Sequence, residues 1–204
     1  MYTVSTSNRK TYHHGALGPA LLDAADALLQ EAGSGALSLR EVARRAGVSP
    51  TACYRHFATR EALLAALAER GFREFGMAMS AAVTQAENEA CDRFAAMGVA
   101  YVLFAVARPG RFRLMFGPAI IDRRQYPGLK TIADAAFARL QQAASDGDAA
   151  PSGRVLTDDT GRAVNVAAIA TWSLVHGLSQ LIIDGALPVE HAEALAKAVT
   201  SKRP

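Results

Sequence analysis

The sequence is poor in cysteine and tryptophan, and it contains no long uninterrupted apolar run. Its two cysteines, Cys53 and Cys91, are too few for a disulfide framework, and neither has a partner at metal-ligand spacing. No stretch of about 18 apolar residues indicates a membrane span, and the first residues lack the apolar centre of a signal peptide. We therefore expect a soluble, cytoplasmic protein of bacterial type that holds no metal and no cofactor.

Strand patterns and internal repeats are also lacking, whereas apolar residues recur along the chain at spacings of three and four. This periodicity predicts an all-α fold of about nine helices. It also predicts three regions: a flexible N-terminal arm (1–14), a three-helix head (15–62) and a larger helical body (63–204). In the body we expect a loop over residues 145–161 and helices over residues 88–107, 109–118, 128–144, 162–184 and 189–201.

Positive charge is concentrated at the N-terminal end. Residues 1–60 contain seven Lys and Arg against four Asp and Glu, and this excess equals the net charge of +3 for the whole chain. A basic end joined to a neutral body suits contact with a polyanion.

The segment 36–64 breaks a helix and restarts it within a few residues. Ser38 and Glu41 have the spacing of a capping box, so a helix is expected to begin there. Gly47 permits a left-handed turn that ends it. Ser49 as N-cap and Pro50 at the first helical position then predict a short helix to about residue 56. An earlier helix over residues 17–32 and a later one over residues 59–84 complete the pattern.

This spacing has the physical requirements of a helix-turn-helix. Ala43 is small enough to let the second helix approach, Val48 fills the turn, and Cys53 faces inward. In such motifs the N-terminal half of the second helix enters the major groove. Its predicted outward residues are Pro50, Thr51, Ala52, Tyr54, Arg55 and His56. A helical corner with a solvated charged face is the alternative interpretation.

The same stretch resembles the DNA-binding signature of the TetR family of bacterial repressors. The shared elements are Ser38 and residues 42–43, 46–49, 54–57 and 60–64. The chain departs from the common pattern at Cys53, where many members have Leu or Ile, and at Gly18 and Pro19, where many have basic residues. The resemblance implies that the residues facing double-stranded DNA are Arg40, Ser49, Thr51, Ala52, Tyr54, Arg55, His56 and Arg60.

TetR-like proteins are homodimers joined by their C-terminal helices. For this chain the resemblance implies an interface built from Val164, Ala168, Leu174, Leu178, Leu181 and Ile182, although the same stripe would suit a core helix of one chain. Trp172, His176 and Gly177 are similar to the Trp-x-x-x-His-Gly element of the WHG-type C-terminal domain found in a TetR subgroup. His176 would equally suit a hydrogen-bonded place in the core.

Aromatic and sulfur residues of the body could line a pocket for a small, largely apolar effector. A plain core would have the same composition. The candidates are Met97, Tyr101, Phe104, Phe112, Met115, Phe116, Trp172 and His176.

Together these patterns predict a homodimeric repressor that a small-molecule effector releases from a pseudo-palindromic operator. A helix-turn-helix regulator whose body senses a protein partner, through the basic and aromatic stretch 108–117, or redox state is an alternative. A small helical enzyme using His176 with Cys91 or Asp184 is disfavoured, because no nucleophile–base set stands at a recognisable spacing. No enzymatic activity and no membrane association are expected.

Overall fold

The computed structural model describes residues 17–88, 92–120, 122–145, 155–157 and 163–201. Over these ranges the chain forms nine α-helices and one small two-stranded sheet, so the all-α prediction is confirmed. The predicted arm lies outside the described residues. The α-helices are α1 (Leu17–Ala32), α2 (Leu39–Arg45), α3 (Pro50–His56), α4 (Arg60–Asn88), α5 (Arg93–Ala107), α6 (Pro109–Phe116), α7 (Pro127–Ser145), α8 (Val166–Ile183) and α9 (Ala192–Ser201).

The chain divides into two compact units, with the division between Leu63 and Leu64. The first unit, which we call the head, contains α1 to α3 and the first residues of α4. The second unit, the body, contains the rest of α4 and all later elements.

Local capping signals set the helix boundaries of the head. Gly33 and Gly47 have φ angles of 75° and 69°, a left-handed conformation that glycine adopts without strain. The Ser38 side chain accepts a hydrogen bond from the N–H of Glu41, and Ser49 does the same for the third residue of α3. A short 3-10 helix, Ser34–Ala36, joins α1 to α2. The fully buried core of the head is formed by Leu21, Ala25, Leu29, Leu37, Val42, Ala43, Cys53 and Leu63.

In the body, α5 packs against α8 and α9, and α7 packs against α8. The approach of α5 to α9 requires a glycine, because a Cβ built at Gly98 would overlap the Cγ2 atom of Thr200. By length and composition alone α8 could cross a membrane, since its 18 residues include no Asp, Glu, Lys or Arg. Core helices of soluble proteins meet the same criterion; α8 packs on three helices of the body, and 28% of its residues are buried.

The prediction is wrong for part of the loop over residues 145–161 and for the start of the helix over residues 162–184, because both segments contain a short strand. Val155–Thr157 (β1) pairs antiparallel with Ala163–Asn165 (β2), and α8 begins only at Val166. The β-branched residues of these two segments favour extended backbone. The Asn165 side chain accepts a hydrogen bond from the N–H of Ala167 and thereby caps α8.

Three other helix limits also differ from the prediction. α4 continues to Asn88, and α5 begins at Arg93, where the Asp92 carboxylate accepts two backbone N–H groups as N-cap. A 3-10 helix, Val189–His191, precedes α9, which therefore starts three residues later than expected. A further 3-10 helix, Arg123–Gln125, precedes α7.

Candidate nucleic-acid interface and cavity of the body

The outer face of α3 is open to solvent. Ser49, Pro50, Thr51, Tyr54, Arg55 and His56 are exposed, and Ala52 is half-buried. Cys53 is fully buried beneath them, as its predicted place on the inward side requires. The exposure fits the predicted reading surface, while contact of these side chains with DNA stays a prediction.

The turn before α3 has the tight geometry that a helix-turn-helix needs. The N–H of Val48 donates to the carbonyl of Ala43 at 3.0 Å, and Gly47 between them is in the left-handed conformation. Ala43 is completely buried, so a larger side chain there would push the helices apart. Burial also raises the pKa of the Cys53 thiol, which keeps it protonated and disfavours a redox role for this cysteine.

Two of the arginines in α2 are held by carboxylates of the head. The Arg44 guanidinium makes two hydrogen bonds to Glu41, at 2.9 and 2.5 Å. Arg45 makes a comparable bidentate pair with Glu31 of α1. These hydrogen bonds from arginine lower the pKa of both carboxyl groups. The charge of this pair of arginines is thus balanced within the protein.

Arg40 and Arg55 have a different environment. Both are exposed, and neither makes an ion pair with any residue that the structure describes. Arg60, predicted as a phosphate contact, instead donates to the backbone carbonyls of Leu37 (2.7 Å) and Ser34. Its guanidinium ties α4 to the connection between α1 and α2, while its contact with DNA stays a prediction.

The beginning of α1 lies beside the end of α3. A Cβ built at Gly18 would stand 3.7 Å from Nδ1 of His56. The first turn of a helix has backbone N–H groups without intrahelical partners, and such groups bind phosphate. Many TetR proteins have a basic side chain at this position, whereas Gly18 has none. The backbone N–H groups there are therefore not covered by a side chain of residue 18, and His56 lies next to them.

The body contains a cavity of about 150 Å³, partly open to solvent, between α4, α6, α7 and α8. Its lining residues are Phe72, Phe75, Phe116, Arg123, Ala133, Asp134, Ala136, Phe137, Leu140 and Trp172. Only Phe116 and Trp172 belong to the predicted pocket set. The others of that set, Met97, Tyr101, Phe104, Phe112 and Met115, are buried in the core, and His176 is half-buried among them.

Hydrogen bonds connect the cavity wall to this core. The indole Nε1–H of Trp172 donates to the hydroxyl of Tyr101 at 2.9 Å, and the same hydroxyl lies 2.8 Å from Nδ1 of His176. Because the Tyr101 oxygen accepts from Trp172, its own proton is available to Nδ1 of a neutral His176. Burial lowers the pKa of His176, which is consistent with the neutral form. His176 is therefore a hydrogen-bonded core residue here.

Sequence reasoning missed the contribution of α7 and of Arg123 to the cavity. Ala133 and Ala136 are small, so they leave space opposite the aromatic rings, and Phe137 closes one side. The only signal in the sequence was an amphipathic helix with a single aromatic residue. That pattern does not say which other helix it faces.

Some of the residues predicted for the dimer interface are buried in the structure, and others are exposed. Ala168, Leu178 and Ile182 are buried within their own chain, so they are not available to a partner, whereas Leu174 and Leu181 are 44% and 50% exposed. Val164 lies in β2 rather than in the predicted helix, and its place in a dimer interface stays a prediction.

The structure also shows where the residues named in the alternative hypotheses lie. In the stretch 108–117, Arg111 and Phe112 are buried, so it does not form an open basic and aromatic surface. Cys91 lies outside the described residues, and Asp184 is bound by Arg113 at 2.6 Å. Over the described ranges, no group of three or more His, Cys, Asp or Glu could hold a metal ion.

A helix-turn-helix head with an open second helix, joined to a mostly helical body, defines a DNA-binding transcription regulator. The family model of bacterial regulatory proteins of the tetR family matches residues 21–67, and that of the tetracyclin repressor-like C-terminal domain matches residues 94–201. The chain belongs to the TetR family, whose members are transcription regulators and not enzymes. Assignment to the WHG subgroup stays a prediction.

Solved structures agree with this assignment. A protein with unknown function from Rhodococcus sp. RHA1 is 32% identical, with a TM-score of 0.74 over 95% of this chain and 96% of that chain. PfmR, a TetR family transcriptional regulator from Thermus thermophilus, is 18% identical, with a TM-score of 0.62 over 90% and 98%. The multidrug binding protein EbrR, complexed with imidazole, is 18% identical, with a TM-score of 0.56 over 92% and 96%. The last two share the fold. A search of curated proteins found no match.

Proposed function

We propose that this protein is a homodimeric repressor that binds a pseudo-palindromic operator and is released by a small, largely apolar effector. The observation that carries the proposal is the surface of the head. There α3 presents its short and polar residues to solvent, and Arg40 and Arg55 beside them have no carboxylate partner among the described residues.

In this proposal the N-terminal half of α3 enters the major groove. Thr51 and Ala52 are small enough to permit close approach to the base edges, while Tyr54 and His56 are placed for phosphate oxygens. Arg55 binds either guanine or the backbone. Arg60 contributes indirectly by holding α4 to the loop that precedes α2.

The dimer is proposed to form through the exposed face of α8. This face contains apolar and small residues at helical spacing, and a Cβ built at Gly177 has nothing within 4 Å in its own chain, so a partner helix has room to approach. Dimerisation would present two heads to half-sites about one DNA turn apart. The proposed contact residues are Val166, Ala170, Leu174, Gly177 and Leu181.

The cavity of the body is the proposed effector site, and the effector acts by favouring one separation of the two heads. Its aromatic wall suits an apolar molecule, and its few charged groups would orient it. The fold relative EbrR, a multidrug binding protein with imidazole, supports the idea that this fold accommodates small ligands. A cytoplasmic location follows from access to DNA and belongs to the same proposal.

A salt titration of binding to the DNA upstream of the protein's own gene tests the DNA-binding role. We expect specific binding whose logarithm falls linearly with the logarithm of salt concentration, because phosphate contacts release counterions. Arg55→Ala should weaken binding at every salt concentration. Binding that is absent at low salt, or that is insensitive to salt, would contradict the proposal.

Sedimentation equilibrium tests the dimer. Leu181→Asp places a charge on the proposed α8 face and should shift the protein toward monomer, with a parallel loss of operator affinity. Val155→Asp is the matched control, because Val155 in β1 is 59% exposed and lies outside that face. If both variants behaved like the wild type, α8 would not be the interface.

A further inference from the structure

One cation lines the cavity without a carboxylate to balance it. Arg123 is half-buried, and no Asp or Glu among the described residues lies within ion-pair distance of its guanidinium. One terminal nitrogen donates to the backbone carbonyls of Met115 (2.6 Å) and Gly117 (3.2 Å). Burial lowers the pKa of Arg123, because it removes part of the hydration of the charged guanidinium.

We propose that the effector is a small organic acid whose carboxylate pairs with Arg123 and whose apolar body lies among the aromatic rings of the cavity. The proposal rests on the effector function proposed above and specifies the chemical class of the ligand.

The guanidinium has donors left for such a ligand. The two carbonyls occupy one terminal nitrogen, so the Nε–H and the second terminal NH₂ group of Arg123 are not used by them. Those carbonyls lie at the end of α6 and fix the position of the side chain, but they are dipoles and do not neutralise its charge. A carboxylate matches the planar guanidinium in a bidentate geometry.

The other charged residue of the wall does not oppose an anion. Asp134 is ion-paired with Lys130 one helical turn away, with Nζ and Oδ2 2.6 Å apart. Lys130 offsets the charge of Asp134, so Arg123 is the charged lining residue that has no ion-pair partner among the described residues. Both partners of the pair lie on α7, but Lys130 is exposed and does not line the cavity.

The size of the cavity limits the ligand. Its volume of about 150 Å³ is roughly half of the lower limit for pockets that hold drug-sized molecules, about 300 Å³. The aromatic lining of Phe72, Phe75, Phe116, Phe137 and Trp172 suits one ring or a short alkyl chain. A monocarboxylic acid with one such group meets both the size and the charge requirement.

Trp172 provides a direct measurement, because it is the single tryptophan of the chain and it lines the cavity. We would titrate the purified full chain with benzoate, phenylacetate and octanoate, and with the matched neutral amides, at constant ionic strength, and follow the tryptophan emission. At least one acid should bind about 10- to 100-fold more tightly than its amide, as a charge-assisted hydrogen bond implies.

Three variants connect this preference to Arg123. Arg123→Gln should abolish the difference between acid and amide, and Arg123→Lys should keep part of it. Arg124→Gln is the control, because this neighbour is largely exposed and is bound to Asp122 rather than to the cavity. The thermal midpoint of each ligand-free variant shows that it is folded. If Arg123→Gln is unfolded, the proposal is tested by the difference between acid and amide affinities in the wild type and in Arg123→Lys.

The inference is overturned if no acid in the panel changes the Trp172 emission, if amides bind as tightly as acids, or if folded Arg123→Gln keeps the preference. Operator binding is measured separately by the salt titration. Acids that bind at Arg123 in a protein without operator affinity would refute the proposed repressor function and support the ligand class. Operator binding without any preference for acids over amides would support the proposed repressor function and refute the ligand class.

Discussion

Replacing Tyr101 by Phe removes one oxygen from the centre of the body. Tyr101 is fully buried, and its hydroxyl satisfies both the indole N–H of Trp172 and Nδ1 of His176. The phenyl ring would keep its edge-to-face contact with Phe75, whose centroid lies 5.0 Å away. The substitution therefore tests the polar network with the aromatic packing left in place.

The size of the effect follows from the groups that lose their partner. A buried donor or acceptor without a hydrogen bond costs about 1–3 kcal/mol. Two such groups are created, but Trp172 and His176 are only half-buried, so water replaces part of each interaction. We expect the free energy of unfolding to fall by about 2–3 kcal/mol, which corresponds to about 5–10 °C in the melting midpoint for a chain of this size.

The assay is thermal unfolding followed by circular dichroism, with the emission of Trp172 recorded on the same samples. Tyr126→Phe is the control, because Tyr126 is half-buried and its hydroxyl makes no hydrogen bond within the described residues. Tyr101→Phe should lower the midpoint and shift the tryptophan emission, whereas the control should do neither. A midpoint within about 1 °C of the wild type would show that the network contributes little and would refute this reasoning.

Three further predictions concern other parts of the molecule. The pKa of His176 is lower in the folded protein, so below pH 6.5 the unfolded state binds more protons than the folded state. The contribution of His176 to the free energy of unfolding is therefore complete above pH 6.5 and declines as the pH falls below that value. His176→Gln should flatten this decline, as measured by urea unfolding. Gly98→Ala should cost about 1–3 kcal/mol of stability through overpacking, and the second substitution Thr200→Ser, which removes Cγ2, should restore part of it in a double-mutant cycle. Arg40→Ala should reduce the salt slope of operator binding by about one, whereas Arg44→Ala should change it less, because that guanidinium is already ion-paired.

Each of these has an outcome that contradicts it. Equal pH profiles for the wild type and the His176 variant would mean that other groups set the acid sensitivity. A Gly98 variant of unchanged stability would show that α5 and α9 separate at low cost. Equal salt slopes for the Arg40 and Arg44 variants would mean that ion pairing within the head does not decide which arginines reach phosphate.

The boundaries of the head helices could be predicted because their signals are local. Gly33, Gly47 and the Ser49 and Pro50 pair act through their own backbone conformation and nearest hydrogen bonds, so a short window of sequence contains the information. The role of Arg60 could not be predicted in this way. A sequence shows a positive charge after a helix-turn-helix, whereas the carbonyls of the preceding connection, more than 20 residues away, become visible only in the fold.

The body was predictable in class but not in detail. α5 and α8 are apolar around most of their circumference, so periodicity could not show which face of α8 meets its own chain and which meets solvent. For this reason the sequence pattern places Leu178 and Ile182 on one stripe with Leu181, although only Leu181 is exposed. The cavity depended on the same long-range information, because it lies where the alanines of α7 meet the rings of other helices.

The proposed anion site has a structural connection beyond the cavity wall. Arg123 holds the carbonyls at the end of α6, and Arg111 within α6 is buried and bonded to the carboxylate of Glu74 on α4. A ligand that draws the Arg123 guanidinium toward itself therefore acts first on α6. In the proposed switch, the Arg111–Glu74 ion pair is the contact through which a movement of α6 would reach α4, because an arginine–carboxylate pair has a defined geometry. The proposed effector response requires a contact of defined geometry between the cavity and α4, and the Arg111–Glu74 ion pair is such a contact.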